Sequence, residues 1–184
     1  IKSPSFVWRY DDLAPAQILN VTSYTQDGLY GIGDKIDVTM EFNKLVAITG
    51  SPQLAMATGS VSGLANAKQS SLSFFASFEY TVEEGHSSLD LDYVSTSALT
   101  LNNGSILDAN QIGANLILPE LSSKSALSSQ KNIVIDGIAP IAISQINFKP
   151  LDGQIELELP AKSASDVVRY RVYRSTSPDF SISN

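Results

Sequence analysis

The stretch "KIDVTMEF", residues 35–42, decides the fold class. Ile36, Val38, Met40 and Phe42 alternate with Lys35, Asp37, Thr39 and Glu41. A period of two places the apolar set on one face and the polar set on the other, as in a half-buried β-strand. Val, Ile, Thr and Phe also suit a pleated surface. A sheet covered on one side is commonly antiparallel.

Outward from this strand the same signals recur at short intervals, separated by Gly, Pro, Asn, Asp and Ser. "ILNVTSY" (18–24) reads as a strand, and "QDGLYGIGD" (26–34), with its three glycines, reads as a turn region. "LVAITG" (45–50) and "PQLAMAT" (52–58) read as two short strands split at Gly50-Ser51. "SVSGLANAKQS" (60–70) fits either a strand pair or a loop. "SLSFFASFEYTV" (71–82) is a long strand whose alternation changes phase at Phe74-Phe75, which implies a bulge. "SLDLDYV" (88–94), "ALTLNN" (98–103), the strand-turn-strand "GSILDANQIGANLILP" (104–119) and "NIVIDG" (132–137) complete the set, with a polar loop at 122–130. No window of a dozen residues shows helical spacing of apolar residues. The expected fold is all-β, an antiparallel immunoglobulin-like β-sandwich followed by a partial second β module.

Three segments emerge: an N-terminal segment or linker over 1–17, the sandwich over 18–137, and the beginning of another module over 138–184. "AISQINF", "GQIELELP" and "VVRYRVYRS" supply the first three strands of that last part. "SFVWRYDDL" (5–13) holds the only Trp and fits either the last strand of a preceding module or a strand pairing elsewhere in the chain.

The composition narrows the function classes. Of the 184 residues 43% are hydrophobic, enough for a packed core, and 17% are charged, below the roughly 25% of ordinary soluble domains. The balance of Ser, Thr, Asn and Gly suits extracellular β-proteins. Absence of Cys excludes a disulfide framework and a Cys-based zinc site. The net charge of −7 is carried by residues 18–137, with five basic and twelve acidic side chains. That acidity argues against nucleic acid as a partner, since phosphates demand Lys and Arg. No apolar run is long enough for a membrane-spanning helix. The start of the chain lacks an initiator Met and the basic and apolar regions of a signal peptide, so it reads as a processed product or an excised piece.

Several stretches resemble one family. "DGLYGIGDKIDVTMEF", through Asp27, Gly28, Tyr30, Gly33, Asp34, Ile36, Val38 and Phe42, is similar to the opening of a bacterial immunoglobulin-like, cadherin-like repeat found in tandem in very large surface proteins and adhesins. "LDYVSTSALTLNNGSILDA" is similar to the most recognisable part of that repeat, and "VIDGIAP" to its closing linker. The resemblance covers about residues 17–140. His86 and the turn "DANQIGAN" (108–115) depart from the family pattern. Residues 141–184 resemble the first half of a fibronectin type III module, although Leu159 stands near the usual Trp position. The resemblance implies a structural or adhesive module acting as a spacer on the cell surface or outside the cell. The implied partners are neighbouring modules of the same chain and a cell-surface protein or glycan.

Asp90 and Asp92 are two apart and share the outer face of the expected strand, with Leu89, Leu91 and Tyr93 directed to the core. Their Cα separation of about 6.6 Å lets both reach one calcium ion if a loop adds oxygens. In cadherin-like proteins calcium stiffens the junction between modules. On that resemblance Asp90, Asp92 and Asp136 are the candidate ligands, with Asp27 and Glu83-Glu84 as further contributors, and calcium is the candidate cofactor. A solvated face, or hydrogen bonding to a neighbouring loop, accounts for the same two carboxylates. A catalytic carboxylate pair lacks any neighbouring sign of a substrate cleft.

His86 is the only histidine and lies in an expected exposed Glu-Gly-His-Ser turn. A Ser-His-Asp triad would have to use it, and no G-x-S-x-G is present, "GSVSG" (59–63) having Val61 at its centre. "GLYGIG" (28–33) has the wrong order for a dinucleotide loop. The chain is therefore expected to be non-enzymatic. The alternative is an accessory carbohydrate-binding module of a secreted enzyme, with Trp8, Tyr10 and Tyr173 as its aromatic candidates and "RYRVYR" (169–174) as a basic and aromatic strip.

Overall fold

The computed structural model describes residues 13–139, 146–152 and 154–158. The chain divides after Ile138 into two compact units. Among the described residues every regular element is a strand, and the fold is all-β.

In the first unit β3 (Lys35–Thr49) organises the larger sheet. Its first half lies between β1 (Ile18–Ser23) and β6 (Ser70–Thr81), antiparallel to both. Ile36, Val38, Met40 and Phe42 are all buried, as their alternation requires. Thr39 departs from the expected outer position: it is buried, its hydroxyl donating to Asp37 Oδ1 at 3.0 Å. The Lys68 amide donates to the Ser77 carbonyl, and Ser77 is the β6 partner of Thr39.

What reads as two strands across 35–50 is a single strand with a corner. The β3–β6 register shifts between Glu41 and Val46, opposite Phe75 and Ser73. There β3 takes five steps against two in β6, so the extra residues lie in β3 rather than at the phase change in β6. β6 gains a single residue only further on, between Ser70 and Ser73. Asn43 secures that corner. Its amide donates to the Gln17 carbonyl at 3.0 Å, and its side-chain oxygen accepts from the Gln17 amide at 2.7 Å. Beyond the corner, Val46–Thr49 pairs with β9 (Ser105–Asp108). The sheet continues from β6 through β5 (Gly63–Ala67) and β4 (Gln53–Met56) to β8 (Leu99–Thr100), all antiparallel.

A smaller sheet faces this curled one and completes a β-sandwich. Its order is β2 (Gly28–Gly31), β10 (Ile133–Asp136), β7 (Ser87–Ser88). Here the expected turn at 26–34 is corrected: Gly28–Gly31 is a strand, and it pairs with β10 in parallel. The side chains of β2 gave no burial pattern because they are exposed or half-buried. Backbone pairing with β10 fixes its place, and the half-buried Tyr30 packs against the core. The core between the sheets holds Tyr80, Tyr93, Phe42, Phe78, Ile36 and Leu127 among its largest side chains. Leu127 comes from the 122–130 loop, whose backbone runs through successive turns and whose Ala126 and Leu127 are fully buried.

In the second unit β11 (Asn147–Leu151) and β12 (Gln154–Glu158) form an antiparallel hairpin. Lys149 and Glu156 face each other across it at 3.5 Å. The expected strands at 5–13 and 167–175 lie outside the described residues, apart from Leu13.

Candidate functional site

Among the described residues the buried polar side chains include Asp92, in an acidic corner with Asp90, His86, in the turn at 83–86, and Asp108, whose Oδ1 accepts from the amides of Asn110 and Ile112.

The acidic corner differs from its expected form. Residues 88–94 do not continue as a strand. The chain bends at Leu89-Asp90 after the short β7, which undoes strict alternation. Leu89 is consequently 89% exposed rather than in the core, while Leu91 and Tyr93 are buried as expected. Asp92, expected to face outward with Asp90, is only 8% exposed. The cause lies in its partners. Its Oδ2 accepts from the Ser128 hydroxyl at 2.6 Å, and its Oδ1 from the Tyr93 amide at 2.9 Å. The main chain on both sides is tied into the sandwich: Leu91 N donates to Ile133 O, Ala57 N to Asp92 O and Val94 N to Ala55 O. The carboxylate thereby anchors the 122–130 loop to the core. The Tyr93 hydroxyl donates to the Pro119 carbonyl, and burial beside Asp92 and Glu120 pushes its pKa up to about 12.

Asp90 stays exposed. Partial desolvation raises its pKa, and repulsion from Asp92 and Asp27 adds to the rise, against an amide of Ile133 that lowers it. Asp27 behaves in the opposite way. The Asn132 amide and the Lys131 ammonium, which lies 3.2 Å away, hold its pKa below the usual carboxylate value.

Asp136 is not part of this corner. Asp90 meets the Ile133 end of β10, whereas Asp136 is three residues further on, about 10 Å along the strand. Its Oδ1 accepts from the Ile138 amide at 3.2 Å. Among the described residues no three His, Cys, Asp or Glu side chains group closely enough to hold a metal ion.

His86, expected at the surface, is 3% exposed. Its ring stacks on Tyr80 with centroids 5.7 Å apart and an interplanar angle of 26°. Nδ1 lies 2.9 Å from the Tyr80 hydroxyl and 3.1 Å from the Glu83 amide nitrogen. An amide can only donate, so Nδ1 is an acceptor and the ring proton of the neutral imidazole sits on Nε2. Burial and the Glu83 charge push the Tyr80 pKa up to about 12. Gly63 closes the pocket: a Cβ there would meet Tyr80 Cε2 at 2.5 Å and His86 Cε1 at 3.2 Å. Only a residue without a side chain admits both rings. The local sequence has no periodicity that announces this pairing. It arises because the chain reverses at 83–86 and returns residue 86 to residue 80.

The same turn holds the end of the sandwich. Gly137 N donates to His86 O at 2.7 Å and Gly85 N donates to Gly137 O at 2.9 Å. A Cβ on Gly137 would fall 2.2 Å from the Glu83 carbonyl oxygen.

Trp8, Tyr10, Tyr173 and the "RYRVYR" strip lie outside the described residues. No helix among the described residues is long and apolar enough to cross a membrane. Comparison with family models, with curated proteins and with solved structures gives no match.

Proposed function

We propose that this chain is a non-catalytic structural or adhesive module of a large exported or cell-surface protein, an immunoglobulin-like repeat that serves as a spacer between neighbouring modules. One observation carries the proposal. The last strand of the first unit, β10, is held on both sides, by β2 in parallel and by β7 antiparallel. A pull on the chain beyond Asp136 therefore loads several ladder hydrogen bonds together. Force applied at the two ends enters through β1, paired with β3 in the larger sheet, and leaves through β10, paired with β2 and β7 in the smaller one. The fully buried core behind them supplies the resistance of the whole sandwich.

Single-molecule extension of the full chain from its two ends tests the proposal. The 119 residues from Ile18 through Asp136 are expected to release in one cooperative step of roughly 400 Å, at about 3.3–3.6 Å per residue. Extension without a resolvable step contradicts a load-bearing spacer. Calcium, which the resemblance implies at the junction between modules, belongs to the same proposal: it is expected to raise the melting temperature more than magnesium does. An equal response to both ions removes calcium from the account.

A further inference from the structure

The His86 turn does more than fill a pocket. It joins a proton-binding side chain to the point where the chain leaves the sandwich. We propose that His86 is a proton-operated latch on the module exit: neutral, it holds Gly137 against the 83–86 turn, and protonated, it lets the exit go.

The geometry sets the direction of the switch. Neutral Nδ1 accepts from both the Glu83 amide and the Tyr80 hydroxyl. A proton taken from solvent onto Nδ1 turns this acceptor into a donor. The Tyr80 oxygen can rotate and accept from it. The Glu83 amide cannot, so two N–H groups would point at each other in a site closed to water. The new charge would also sit against the Tyr80 ring in a pocket almost wholly closed to solvent.

The surroundings draw the ring outward. Glu83 and Glu84, both exposed, are the charged groups of the turn itself. Asp136 is the charged group of β10, the register partner of Ser87. Tyr80 is the titratable group that β6 places against the ring, Glu79 being paired with Lys35 and Lys68 instead, and the loop from Thr58 to Gly63 on the remaining side carries none. Once Nδ1 no longer accepts from the Glu83 amide, the side-chain hydrogen bond that closes the 83–86 turn is lost, and that turn carries His86 O and the Glu83 carbonyl. Both groups define the seat of Gly137. The freed segment leads straight into Ile138 and the linker. The effect is local, because β10 keeps its pairing with β2.

The test is amide exchange by NMR on the full chain, corrected for intrinsic rates, between pH 7.5 and pH 5. As the only histidine, His86 gives an unambiguous ring signal. Protection of the Gly137 and Gly85 amides is expected to fall at least tenfold with the midpoint of the His86 ring, while Met40 on the central strand keeps its protection. His86→Asn, whose side-chain oxygen takes the place of Nδ1 without binding a proton, is expected to keep Gly137 protected throughout. Three outcomes overturn the latch: a ring that stays neutral to pH 5, Gly137 protection that ignores the titration of the ring, or Met40 losing protection together with Gly137. Acid release that persists in folded His86→Asn overturns it as well. Should that variant fail to fold, the wild-type comparison of Gly137 with Met40 decides alone.

Discussion

Replacing Asp92 with Ala removes the acceptor that ties the 122–130 loop to the core. The loss can be worked from the contacts. The Ser128 hydroxyl at 2.6 Å forms a charge-assisted hydrogen bond, of a kind worth about 1.5–3 kcal/mol. The Tyr93 amide at 2.9 Å and the longer bond from the Ser128 amide at 3.4 Å add smaller amounts. Relief of the repulsion on Asp90 offsets part of the loss. The net expectation is a loss of about 2–4 kcal/mol, a large share of the 5–15 kcal/mol that holds a typical domain together. Urea denaturation followed by far-ultraviolet circular dichroism measures it. The midpoint should fall while the slope stays constant, because the surface exposed on unfolding is unchanged. A double-mutant cycle with Ser128→Ala should return a coupling of about 1.5 kcal/mol or more between the two side chains. If Asp92→Ala shifts stability by less than about 0.5 kcal/mol, as an ordinary surface substitution does, Asp92 is a solvated carboxylate and the anchoring argument fails.

Asp90 and Asp27 should respond to pH in opposite senses. The folded state raises the pKa of Asp90, so its charge costs stability at neutral pH and the cost fades as pH falls through that raised value. Asp90→Asn is therefore expected to raise the melting temperature at pH 7 and to leave it unchanged below both the folded and unfolded values. Asp27 has a lowered folded value and contributes stability above its unfolded value that is lost on acidification. Asp27→Asn should lower the melting temperature at pH 7 only, and the same melting series checks both. Gly63→Ala drives a methyl group into Tyr80 and is expected to cost about 1–3 kcal/mol in urea denaturation, the usual penalty of overpacking. Lys35, Glu79, Lys68 and Asp37 form an exposed chain of ion pairs on the outer face of β3 and β6. Glu79→Gln should lower the melting temperature in dilute buffer and have no effect in 1 M salt, where charges are screened within about 3 Å. A difference that persists in salt would assign the effect to packing.

The larger sheet was legible in the sequence wherever one face is buried. β3 shows it best, since a strict period of two over Lys35–Phe42 allows one register and one core face. The register break near Phe74-Phe75 was readable as a phase change in the apolar pattern, but not the strand that carries it, since the extra residues there sit in β3 between Glu41 and Val46. β2 was not readable, since a four-residue strand held mainly by backbone pairing, with two glycines and only Tyr30 packed against the core, shows no alternation. Asp92 and His86 were misplaced for a shared reason. A polar side chain goes inward when partners distant in sequence satisfy it, and neither Ser128 nor Tyr80 declares itself as a partner locally. Leu89 and Asp92 exchanged their expected environments when the chain bent at 89–90, because one bend resets the alternation.

A spacer of this kind requires β2 and β10 to be paired and that pairing to close the unit that carries force. A cross-strand lock tests both at once. Leu29 and Val134 are register partners, and the chain has no other Cys to interfere, so Leu29→Cys with Val134→Cys offers a switchable disulfide. Pulled from its ends under reducing conditions, the variant should release the same step of roughly 400 Å as the wild type. Oxidised, it should retain the 104 residues between the lock positions and lengthen by only roughly 50 Å at about 3.6 Å per residue. An oxidised variant that still releases the full length, or a bond that does not form, would contradict the pairing on which the account is built.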